Sequence, residues 1–107
     1  MLSSDPIVEH NRQGWDRLVD QQHALTKPAT VEELKSAQKI LDPIGWLEGH
    51  PRGLNVLCLA AGGGRFSALF AALGANVTVV DISAAMLSLD QREADRHGFR
   101  IRCIQAD

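Results

Sequence analysis

Between Asn55 and Ile104 the chain alternates three strand-like runs with two amphipathic stretches, and that alternation leaves few folds open. Asn55-Val56-Leu57-Cys58-Leu59-Ala60 is a continuous apolar run of strand length, the pattern of a strand buried on both faces of a parallel sheet. The triplet Gly62-Gly63-Gly64 leads into Phe66, Leu69, Phe70 and Leu73, an amphipathic helix closed by Gly74. Val77-Thr78-Val79-Val80 is a second, β-branched strand that ends at Asp81. Ser83 caps a helix running through Met86, Leu87, Leu89 and Ala94 to His97, with Gly98 as its stop. Arg100-Ile101-Arg102-Cys103-Ile104 is the third strand. Strand, helix, strand, helix, strand with short connections predicts right-handed crossovers and a Rossmann-like α/β fold, half of a doubly wound parallel sheet.

The residues ahead of this unit read as helical. Asp5-Pro6 opens a helix expected over 6–24, with Ile7, Trp15, Leu18 and Val19 at helical spacing. Thr30-x-x-Glu33 is a capping box for a second helix bearing Leu34, Ala37, Ile40 and Leu41 on one face, stopped by Asp42-Pro43. Gly49-His50-Pro51-Arg52-Gly53 is the clearest linker. The expected division is a helical cap over 1–52 and the sheet unit over 53–107.

Composition removes several function classes. A net charge of -2 lacks the basic excess of a nucleic-acid module, so no nucleic-acid partner is expected. Arg92, Arg96, Arg100 and Arg102 are read as complementing a helix dipole and forming a solvated face. No apolar run reaches the roughly 18 residues of a membrane span, and Met1 to Pro6 is unlike a signal peptide, so a cytoplasmic location is expected. His10, His23, His50 and His97 are dispersed without metal-ligand spacing, and no metal site is assigned. Cys58 and Cys103 fall on strands one and three, roughly 9–10 Å apart and beyond the reach of a disulfide, so both read as core residues.

In sheets of this kind ligands bind beyond the carboxyl ends of the strands. Three signals fall there. Ala60-Ala61-Gly62-Gly63-Gly64 lets a ligand approach the main chain and the following helix N-terminus. Asp81, seventeen residues after Gly64, can accept both hydroxyls of a ribose or, more simply, cap the next turn. Asp107 can meet the exocyclic amine of an adenine or lie solvated. Together they specify an adenosine-containing ligand without choosing between nicotinamide dinucleotides and S-adenosylmethionine. The dinucleotide frame G-x-G-x-x-G is broken, since Ser67 holds the third place.

Val56-Leu57-Cys58-Leu59-Ala60-Ala61-Gly62-Gly63-Gly64, Gly74 to Ser83 and Met86-Leu87 resemble the class I S-adenosylmethionine-dependent methyltransferases. Asn11 to Leu18, with Trp15-Asp16, and the helix opened by Thr30 resemble the N-terminal cap of one bacterial branch. The resemblance implies that Ala60, Ala61, Gly62, Gly63 and Gly64 underlie the methionine and ribose of the S-adenosyl-L-methionine cofactor. It assigns Asp81 to the ribose hydroxyls, Ile82 to the adenine face, Ala106 and Asp107 to the adenine edge, and Trp15 to closing over the methionine end. Cys58 departs from the acidic residue of many members, and Ala60 from the first loop glycine.

The implied activity is methyl transfer to a small-molecule acceptor. No catalytic residue is assigned, because acceptor-side groups in this family follow a fourth strand. Two other classes stay open: an NAD(P)-dependent oxidoreductase, and a non-catalytic interaction protein that docks through the half-sheet. With 107 residues the pattern stops after its third strand, leaving strand one an open edge. The expectation is therefore a truncated portion of a longer chain, or self-association across that edge.

Overall fold

The computed structural model describes residues 5–21, 27–45, 51–59 and 63–106. The order is α1 (Pro6–Asp20), α2 (Val31–Lys35), α3 (Ala37–Leu41), β1 (Asn55–Leu59), α4 (Arg65–Ala72), β2 (Asn76–Asp81), α5 (Ala84–His97) and β3 (Ile101–Gln105). The strands form one parallel sheet in the order β1-β2-β3. This is a partial Rossmann-like α/β fold. In register, Cys58 pairs with Val79 and Val79 with Cys103, so a whole strand separates the two thiols and both are free.

Local chemistry accounts for the element ends. Asp5 accepts the Ile7 N–H at 2.7 Å ahead of Pro6, and the capping box of Thr30 and Glu33 is complete. The Ser83 hydroxyl accepts the Met86 N–H at 3.1 Å, and Gly98 closes α5 in the left-handed region. Two helical expectations are corrected. The first helix ends at Asp20, with Gln21 as its C-cap, and does not continue to residue 24. The second is divided at Ser36, whose backbone leaves helical values at φ -106 and ψ 20. Serine competes with helix through its own backbone contacts, and both short pieces keep their apolar side chains packed on α4.

The larger correction concerns β1. Its run was expected to be buried on both faces, yet only one face is covered among the described residues. Two successive crossovers of the same hand, both moving from β1 toward β3, put α4 and α5 on the same side of the sheet. Strand pleating then sends Val56, Cys58, Val77, Val79, Ile101 and Cys103 into the helix-covered core. The other parity, with Leu57 59% and Leu59 68% exposed, faces outward. A second, smaller core joins Ala29 and Ala37 to Leu69, with Leu34, Ile40, Leu41 and Leu73 around them. Arg65, the first residue of α4, is tied to Glu33 of the capping box by an ion pair. No helix among the described residues is long and apolar enough to cross a membrane.

Candidate functional site

A cavity of ≈ 380 Å³ opens at the carboxyl ends of the strands. It is lined by Trp15 of α1, Leu59 of β1, Val80 and Asp81 of β2, Ile82, Met86 of α5, and Ala106. A larger hollow of ≈ 830 Å³ lies at the opposite end of the sheet, around Asn55, Asn76 and Arg100. The smaller one has the chemistry of a ligand site: apolar walls around a single carboxylate.

Asp81 is only 6% exposed. Its Oδ1 accepts the Ser83 N–H at 3.0 Å, so the carboxylate does brace the turn into α5, the simpler role weighed for it. Burial pushes its carboxyl above the ordinary range; N–H groups of Ser83 and Ile82 oppose the rise, and the nearby Asp16 charge adds to it. Its backbone carbonyl accepts the Ala106 N–H at 3.0 Å, which brings the residue after β3 alongside the end of β2. Gln105 fixes the same corner by donating its side-chain amide to the Ile82 carbonyl at 3.2 Å.

Trp15, 37% exposed, reaches this corner because α1 packs against α5. The docking contact is polar: the Ser83 hydroxyl donates to Asp16, whose other oxygen accepts from Arg12 at 2.9 Å. Ser83 thus serves α5 as a cap and α1 as an anchor at once.

On the β1 side, the turn into α4 is described from Gly63 onward. Gly63 and Gly64 both have positive φ, at 78° and 94°. A Cβ on Gly64 would lie 3.0 Å from the Leu89 carbonyl oxygen and 3.2 Å from Glu93 Cγ, so only glycine lets this turn rest on α5. Beneath it the Ser67 hydroxyl donates to Asp90 Oδ1 at 2.5 Å, both side chains being buried. Serine in the third place of the glycine frame is therefore a hydrogen-bonding residue, beyond merely fitting in size.

Trp15, Asp81, Ile82 and Ala106 are thus brought together around one cavity, and Gly63 and Gly64 form the neighbouring turn. Ala60, Ala61, Gly62 and Asp107 lie outside the described residues. Sequence reasoning passed over Asp16, Met86 and the Ser67–Asp90 pair. Asp90 did carry a signal, because it falls on the buried stripe of α5 with Met86, Leu87 and Ala94. Asp16 carried none, since its partner is distant in sequence.

A parallel half-sheet with glycines after β1 and a buried carboxylate at the end of β2 defines a Rossmann-like α/β unit. Residues 56–107 match the family model of the methyltransferase domain. An uncharacterized methyltransferase, YbaJ of Bacillus subtilis, is 34% identical over 109 residues, covering 92% of this chain and 42% of its own. The release factor glutamine methyltransferase of Bordetella pertussis is 36% identical over 90 residues, covering 79% of this chain and 32% of its own. The chain therefore spans less than half the length of these two curated relatives. Residues 56–107 therefore carry a methyltransferase domain, the class of protein that both relatives are named for.

Proposed function

We propose that the strand-end cavity binds S-adenosyl-L-methionine and that the protein transfers its methyl group to a small-molecule acceptor. The observation that carries this reading is Asp81, a buried carboxylate in the lining of an otherwise apolar cavity. A carboxylate accepts two hydroxyl donors side by side, which suits a ribose diol. Ile82, Met86 and Ala106 offer apolar surface to the adenine beside it. The cavity volume lies within the range of small-molecule sites, ~300–1,000 Å³.

When bound, the cofactor supplies an electrophilic methyl group on a sulfonium. The residues of this chain hold and orient. Gly63 and Gly64, with Ala60, Ala61 and Gly62 before them, let the ligand approach the main chain at the methionine and ribose portions. Trp15 offers an aromatic face to the cationic end and excludes water there. Asp107, next in sequence after Ala106, is assigned to the adenine edge on the same reading. Methyl transfer needs donor and acceptor in line, and positioning supplies most of the rate.

Calorimetric titration with S-adenosylhomocysteine, set against NADH, tests the reading. Saturable binding of the thioether nucleoside with no heat from NADH is expected. Binding of NADH alone would favour an oxidoreductase. Heat from neither ligand, together with stable self-association, would favour an interaction protein built on the half-sheet.

A further inference from the structure

We propose that Asp90, which lines no part of the strand-end cavity, is the positioning residue of the glycine turn beneath the cofactor. The inference rests on the reading of that cavity as a cofactor site. Asp90 is 2% exposed and projects from the middle of α5, on the stripe that faces the sheet. The Ser67 hydroxyl, in the first turn of α4, donates to Oδ1 at 2.5 Å, and the nearby Gly64 N–H favours the charged form of the same carboxylate. Gly64 is the N-cap of α4 and has no side chain with which to cap it. Asp90 braces the turn from below through Ser67, from a helix remote in sequence.

An apolar residue would fit this stripe with less cost. Burial pushes the Asp90 carboxyl up to about 6, against the pull of the Ser67 hydrogen bond. A group held at that disadvantage is retained for what it holds, and what it holds is the Gly64 turn. The steric fit works in the same direction, because Gly64 sits against the Leu89 carbonyl, one residue before Asp90. The carboxylate and the close contact fix one conformation of the backbone on which the ligand rests. The titratable groups that face Asp90 are Cys58 from β1, Cys103 from β3 and Asp81 at the end of β2. Glu93 lies one turn further along α5 and is paired with Arg96 and His97. Both thiols are raised by burial and stay neutral over the range in which Asp90 titrates.

The test uses the whole chain, with Asp90→Asn and Ser67→Ala, followed by amide NMR and calorimetry. In the wild-type protein the Gly64 amide proton shift should titrate with a midpoint near 6, following the carboxylate beside it. In Asp90→Asn that titration should vanish, and exchange protection of the Gly64 amide should fall by about tenfold or more. The melting temperature near neutral pH should hold or rise, which separates loss of positioning from loss of fold. S-Adenosylhomocysteine should bind Asp90→Asn about tenfold more weakly, and Ser67→Ala by a smaller factor. A Gly64 amide that neither titrates nor loses protection overturns the proposal, as does equal affinity of wild type and Asp90→Asn. If the wild type binds no S-adenosylhomocysteine, the cofactor reading fails, and the Gly64 resonance still decides what Asp90 holds.

Discussion

The Ser83 hydroxyl donates to the carboxylate of Asp16, joining the first helix to the start of the fifth across 67 positions of sequence. The same oxygen accepts the Met86 N–H, so one side chain both starts α5 and seats α1 over the end of β2. Ser83→Ala removes both functions, and Asp16→Ala removes the second together with the Arg12 ion pair. Ser83→Ala is expected to destabilise by about 1–2 kcal/mol, and Asp16→Ala by about half that. Urea denaturation of both single variants and the double variant checks this. The double variant should lose less than the sum of the two single losses, because both remove the shared bond.

Asp81 should govern ligand affinity with little effect on the fold. Asp81→Asn keeps an acceptor for the Ser83 N–H but loses the charge offered to a diol. Affinity for S-adenosylhomocysteine is expected to fall by about 10–100-fold, the loss of a charge-assisted pair of hydrogen bonds. Because burial raises the Asp81 carboxyl, wild-type binding should weaken on acidification earlier than an ordinary carboxylate would dictate. Calorimetry over the acid-to-neutral range checks both statements.

Gly64→Ala should be among the costlier single-methyl additions. The left-handed backbone alone penalises a side chain by about 1–2 kcal/mol, and the new Cβ meets the Leu89 carbonyl. A loss of about 2–3 kcal/mol in chemical denaturation is expected. Gly98→Ala provides the control, since it shares the positive φ but has nothing within 4 Å of its Cβ position.

Asp90 gives the stability a specific pH dependence. Its folded value, about 6, lies above its ordinary 3.8, so the folded state holds the proton more tightly. Its contribution is present in full below about pH 4 and is lost as pH rises through about 6. Asp90→Asn should therefore stabilise the chain near neutrality by about 1–3 kcal/mol and change nothing below about pH 4. Thermal melts of both proteins at the two ends of this window check the sign.

The outward face of the sheet carries Leu57, Leu59 and Ile104, beside a β1 edge that pairs with no strand among the described residues. Apolar surface next to unpaired strand backbone favours association. The 107-residue chain is expected to sediment as concentration-dependent oligomers, and Leu57→Glu to shift it toward monomer.

Much of this was legible from local pattern. β-branched runs, glycine stops and the Ser83 and Thr30 caps act within a few residues, so the alternation of strands and helices could be read directly from them. Asp81 could be placed at a strand end for the same reason. Other features depended on how the elements assembled. Pleating divides the residues of β1 between two faces, but the crossover direction decides which face the helices cover. That left Leu57 and Leu59 exposed where the apolar run implied burial. The partners of Asp16 and Asp90 were decided the same way, since Ser83 and the Gly64 turn reach them only after α5 has docked. Short-range hydrogen bonding and side-chain periodicity reside in the chain itself. Which carboxylate is buried, and what it then holds, depends on the packing of helices far apart in sequence.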